Sequence, residues 1–132
     1  MSSIKISHDN ISNSNKNIFG NWINNTSELS QQFQSAQPFD HIIINDFLKP
    51  EIAEKVHKQY PKVDDTWWKY WNPLEVKYAY DNIGNLPDVI QNIFYALSSE
   101  ELLDKFRELS GITALEYDEY LHGGGLHQHP KY

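Results

Sequence analysis

The sequence predicts an α+β fold, and three observations carry that prediction. A run of β-branched residues, Ile42-Ile43-Ile44, follows Pro38 and reads as a buried strand. Three later stretches space apolar residues as one face of a helix, each opened by a Pro or Ser start signal. A second strand-like stretch, residues 112–120, then leads into a terminal run dense in Gly and His.

Residues 1–35 hold 8 Ser and 7 Asn, side chains that hydrogen-bond their own backbone and compete with regular structure. They are expected to form a polar, loosely ordered arm, with the globular part running over 36–132. Ile18, Phe19, Trp22 and Ile23 are spaced so that one short turn of this arm docks on a partner surface. The first strand is expected over 39–48. Pro50 then suits the first turn of a helix, where its missing N–H costs nothing. Ile52, Val56 and Tyr60 recur at helical spacing, and Pro61 stops the helix. Residues 62–86 are an aromatic segment with Trp67, Trp68, Tyr70, Trp71, Tyr78 and Tyr80. A second helix follows Pro87, with Ile90, Ile93, Phe94 and Leu97 on one face. Ser98 and Glu101 have capping-box spacing for a third, whose stripe is Leu102, Phe106 and Leu109 and whose stop is Gly111. Two strands alone make a marginal sheet. The chain therefore reads as the front half of a larger β-structure, stopping early through a natural truncation, a split reading frame or an artificially shortened clone.

Composition narrows the function. The chain has 132 residues, 11 Lys+Arg against 18 Asp+Glu, a formal charge of -7, and no Cys. That excludes disulfide scaffolds, cysteine zinc modules, iron–sulfur sites and thiol nucleophiles. The acidic balance argues against a nucleic-acid partner held by phosphate neutralisation. No apolar run approaches a membrane span, and residues 1–5 lack a signal-peptide core, so a cytoplasmic or otherwise intracellular protein is expected. An aromatic content of 14% sets it apart from disordered acidic chains.

Three chemistries compete for the terminal segment. His122, His127 and His129 are candidate metal ligands; His127 and His129 alternate, so in a strand they point to one face, as a two-histidine metal site or a cupin-like H-x-H motif needs. The cupin motif also carries a Gly six residues before its first His, where this chain has Leu121, and a later Glu that is absent. The run His122-Gly123-Gly124-Gly125 matches an esterase oxyanion loop, but no G-x-S-x-G elbow exists and a hydrolase is excluded.

Two segments together resemble a family. Residues 38–48 are similar to the first core strand of iron(II)/2-oxoglutarate-dependent dioxygenases of the prolyl-4-hydroxylase-like group. The run Tyr120-Leu121-His122-Gly123-Gly124-Gly125-Leu126-His127-Gln128-His129 resembles the stretch leading into that family's iron-binding strand. The resemblance covers residues 38–132. It implies a double-stranded β-helix (jelly-roll) of which this chain supplies the N-terminal helices and first strands. It also implies Fe(II) and 2-oxoglutarate as the complete domain's cofactors, and C–H hydroxylation of a protein or small-molecule substrate. The family's iron sits on H-x-D plus a distal His. No H-x-D occurs in these 132 residues, and aligning His129-Pro130-Lys131 over it would put a cation where iron needs an anion. By this resemblance no catalytic residue, metal ligand or bound cofactor is assigned to this chain; His127 and His129 stay as the alternative metal candidates.

By the same resemblance, Tyr120, or failing it Tyr117, is the candidate hydrogen-bond partner of the cosubstrate. Trp67, Trp68 and Trp71 are candidates for a substrate groove or, as aromatic residues more often do, for the core. Asp64-Asp65 and Asp118-Glu119 read as solvated charge pairs. The alternative to an oxygenase is a non-enzymatic, aromatic-rich binding module.

Overall fold

The computed structural model describes residues 12–131. In order it contains α1 (Asn13–Ile18), a 3-10 turn (Asn21–Asn24), α2 (Thr26–Ser35), α3 (Pro50–Gln59), β1 (Trp68–Asn72) and β2 (Glu75–Tyr80). A second 3-10 turn (Ile83–Asn85), α4 (Asp88–Leu97), α5 (Glu100–Ser110) and β3 (Leu126–Gln128) follow. The strands form one antiparallel sheet in the order β1-β2-β3. The α+β expectation holds, as helices beside a small three-stranded sheet.

The expected arm is the first correction. Its residues 1–11 lie outside the described residues, but 13–35 are largely helical. The reason is the apolar group embedded in the polar sequence. Phe19, Trp22 and Ile23 are buried and form a core cluster with Ala96 and Leu102. They dock on this chain's own helices, so the group is a structural anchor. Backbone hydrogen bonds Gly20 N to Phe47 O (3.0 Å) and Lys49 N to Ile18 O (2.9 Å) tie the segment to residues 47–49.

Both strands expected from local pattern are corrected too. Residues 39–48 form no strand beyond one isolated bridge, Phe19 to Leu48. Phe39 is 67% and Ile43 82% exposed, and among the described residues no strand pairs with this stretch beyond that bridge. A β-branched run expresses its propensity only against a ladder partner. Residues 112–120 are likewise turns and irregular chain, tethered by Arg107 Nε donating to Leu115 O at 2.9 Å. The sheet comes instead from a hairpin inside the aromatic segment, with Asn72 Oδ1 accepting from Leu74 N at its turn (2.9 Å), and from β3.

The helices follow their punctuation. Pro50 opens α3, Pro87 is the N-cap of α4, and Gly111 closes α5 at φ 76°. The capping serine is shifted by one residue. Ser99, not Ser98, accepts from Leu102 N at the head of α5. Ser98 donates back to Phe94 O, and Glu101 accepts from Ser12 N. Ser99→Ala is therefore expected to cost about 1 kcal/mol in a urea melt, and Ser98→Ala under about 0.5 kcal/mol. The reverse order would restore the cap to Ser98.

Two apolar clusters share α4. Ala96 packs into the cluster around Phe19 and Trp22, while Ile90 packs with Trp67, Leu86 and Leu126 beneath the sheet. No helix among the described residues is long and apolar enough to cross a membrane.

Candidate functional site

Directly opposed residues of an antiparallel pair point to the same face. The pairs Trp68–Ala79, Tyr70–Lys77 and Ala79–His127 therefore place five side chains on one side of the sheet. The alternate residues Tyr78, Tyr80 and Leu126 turn to the other side and pack on the core. Residues 120–124 form a second wall, and between the two lies an open groove of about 330 Å³. Trp68, Tyr70, Lys77, Asp81, Tyr120, His122 and His127 supply its chemistry, with Ala79 as a small buried residue among them.

The second wall is built by Asp118. Its carboxylate accepts from Tyr120 N at 3.0 Å and from His122 N, and its carbonyl from Leu121 N at 3.2 Å. Leu121 sits at φ 50°, a left-handed conformation costly for a branched residue, and its carbonyl accepts from Gly124 N at 2.9 Å. These turns set the Tyr120 and His122 rings 6.0 Å apart over the groove. On the sheet wall, Lys77 Nζ pairs with Glu75 at 2.5 Å and lies 5.0 Å from the Tyr70 ring centre. Tyr60 hydroxyl donates to His127 O at 3.0 Å from the core side, and burial pushes its pKa above the usual tyrosine value.

The candidates from sequence divide. Tyr120, His127 and Trp68 meet in the groove. Trp67 is buried beneath the sheet, 5.4 Å from the Tyr80 ring. Trp71 is 61% exposed on the face opposite the groove, with Lys69 Nζ 4.1 Å above its ring. His129 lies past the end of β3 and outside the groove lining, its Nδ1 3.3 Å from Val76 O. Asp64 is a turn acceptor for Thr66, which holds its carboxyl below the usual range, and neither it nor Asp65 lines the groove. Sequence reasoning gives no site role to Tyr70, Lys77 or Asp81, and it reads Asp118 as half of a solvated charge pair where the structure has it accepting from two backbone N–H groups. The alternation across residues 68–80 around Asn72-Pro73 was the signal for the first two, and an Asp two residues before a backbone donor was the signal for the last.

His122, His127 and Asp81 line the same groove, yet among the described residues no three His, Asp or Glu side chains gather as a metal-ligand group. The donors present do not fit a two-histidine-one-carboxylate iron site. What the groove offers is aromatic faces, one paired cation and two imidazoles. That suits binding and orientation.

The chain is 32% identical over 103 residues to the prolyl 3-hydroxylase OGFOD1 of Mus musculus, an alignment covering 75% of this chain and 18% of that protein. It is 43% identical over 56 residues to the accumulates dyads protein 4 of Saccharomyces cerevisiae, covering 39% of this chain and 10% of that protein. The chain thus spans less than a fifth of either relative's length. No family model matches it, and no solved structure does.

Proposed function

We propose that these residues are the N-terminal part of an iron(II)/2-oxoglutarate-dependent, prolyl-hydroxylase-like domain, with the groove forming one wall of its substrate site. The carrying observation is the 32% identity over 103 residues to a protein named as a prolyl 3-hydroxylase. In this reading Tyr120, 74% exposed at the groove, donates its hydroxyl to the cosubstrate, and Trp68 and Tyr70 offer ring faces to the substrate. The jelly-roll expected from the resemblance belongs to the complete domain. In that domain bound Fe(II) would activate O2, the oxidant, for C–H hydroxylation coupled to cosubstrate decarboxylation. Its ligands lie outside these 132 residues, which contain no H-x-D, so no chemical step is assigned here.

The 132-residue chain, given Fe(II), 2-oxoglutarate and ascorbate, is expected to release no succinate above the metal-only background. Coding sequence adjoining the Tyr132 codon is expected to supply an H-x-D, and a polypeptide including it to release succinate. Turnover by the 132 residues alone would show that the iron ligands are within them. A longer gene product lacking H-x-D would remove the oxygenase reading. The remaining reading would be a non-enzymatic binding module, which the exposed Trp68 (62%) and Trp71 (61%) favour.

A further inference from the structure

The loop that walls the groove has a second cavity behind it. Helix α4, Ile83 and residues 117–121 border an open cavity of about 200 Å³, below the roughly 300–1,000 Å³ typical of small-molecule sites and close to the room one long side chain needs. Half-buried Phe94 and Leu121 supply apolar wall, and the exposed Tyr95 (58%) and Tyr117 (48%) bring ring faces to solvent. Asp118 and Glu119 are the charged residues among its lining, and no Lys, Arg or His among the described residues lines it. Asp118 already accepts from two backbone N–H groups, which leaves Glu119 as the carboxylate without a described role.

An apolar stem, two aromatic faces and unopposed negative charge are together complementary to one kind of group. Arginine buries its methylenes on apolar surface, stacks its guanidinium on tyrosine and pairs it with carboxylate. An anionic ligand meets repulsion here, and a purely apolar one leaves the carboxylates desolvated. The chain's net charge of -7 steers a basic partner in the same direction. We propose that this cavity anchors an arginine side chain of a basic partner peptide. Leu121 lines both cavities, so the anchored peptide sits directly across the loop from the groove. The inference is independent of the oxygenase reading, since its test involves no turnover.

The probe is N-acetyl-Gly-Arg-Gly-amide, titrated into the isotopically labelled 132-residue chain and followed by amide chemical shifts. Saturable shifts are expected at Phe94, Tyr95, Tyr117 and Leu121. The citrulline counterpart, isosteric but uncharged, is expected to bind at least about tenfold more weakly, and Glu119→Gln to weaken the arginine peptide about fivefold. Glu119 is exposed, so the variant keeps its fold, verified by unchanged circular dichroism. Three results each overturn the proposal: equal binding of the citrulline peptide, saturable shifts confined to other residues, or none below about 10 mM peptide.

Discussion

Trp22→Ala is expected to lower the unfolding free energy by about 3–5 kcal/mol, the range for emptying a large aromatic site in a core. Trp22 is 6% exposed and stacks on Phe47, ring centres 5.0 Å apart and planes 15° apart. It also meets the edge of Phe19 at 5.9 Å and leans on Phe106 at 5.7 Å. Its indole N–H donates to Phe47 O at 2.9 Å, so truncation removes a hydrogen bond as well as packing. A domain of this size is stable by roughly 5–15 kcal/mol, so the loss is a large share of the whole. Urea titration followed by far-ultraviolet circular dichroism reads it without relying on the deleted fluorophore. Trp68→Ala, at a residue 62% exposed, is the control and is expected to stay within about 0.5 kcal/mol. Were the N-terminal stretch a loosely attached tail, both variants would melt alike.

That contrast shows what was legible. Helices carry their instructions locally, and Pro50, Pro87 and Gly111 each mark a boundary that the structure keeps. Strands need a partner, and the partner is not written beside them. Ile42–Ile44 has the stronger β composition, yet the ladder forms at residues 68–80, where two segments fold back on each other across Asn72-Pro73. Ile18, Phe19, Trp22 and Ile23 stand out in the polar stretch 13–35, but their partner does not: Phe19, Trp22 and Ile23 are buried against this chain's own Ala96 and Leu102, which lie far along the sequence. For the site, Tyr120 and His127 were legible as chemistry. The three tryptophans look like one cluster in the sequence, although neighbours along a strand face opposite ways. Once β1 is recognised, Trp67 and Trp68 cannot share a surface, and the groove keeps only the second.

Gly125→Ala is expected to detach β3 and abolish the groove, although it adds a single methyl group. Gly125 stands at φ 129°, and a Cβ there would lie 2.3 Å from Tyr80 O and 3.1 Å from Tyr80 C. Both are backbone atoms of the neighbouring strand, so no side chain can rotate away to make room. Relief requires β3 to move off β2, losing the pairs Tyr80–Leu126, Ala79–His127 and Tyr78–Gln128. Leu126, 9% exposed, then leaves the cluster around Trp67 and Ile90, and Tyr60 loses its acceptor at His127 O. The neighbouring glycines separate this cause from backbone freedom alone. Gly123 also has positive φ, 75°, but a Cβ there meets nothing within 4 Å, so Gly123→Ala is expected to cost only about 1 kcal/mol. At Gly124 the nearest atom is the movable Leu121 Cδ2 at 3.4 Å, and the cost is expected to be smaller still. Hydrogen exchange resolves the three: Gly125→Ala is expected to unprotect the β2 and β3 amides that pair with each other while α2 and α5 keep their protection. If Gly123→Ala and Gly125→Ala unprotect β2 equally, the close approach to Tyr80 is not what holds β3 in place.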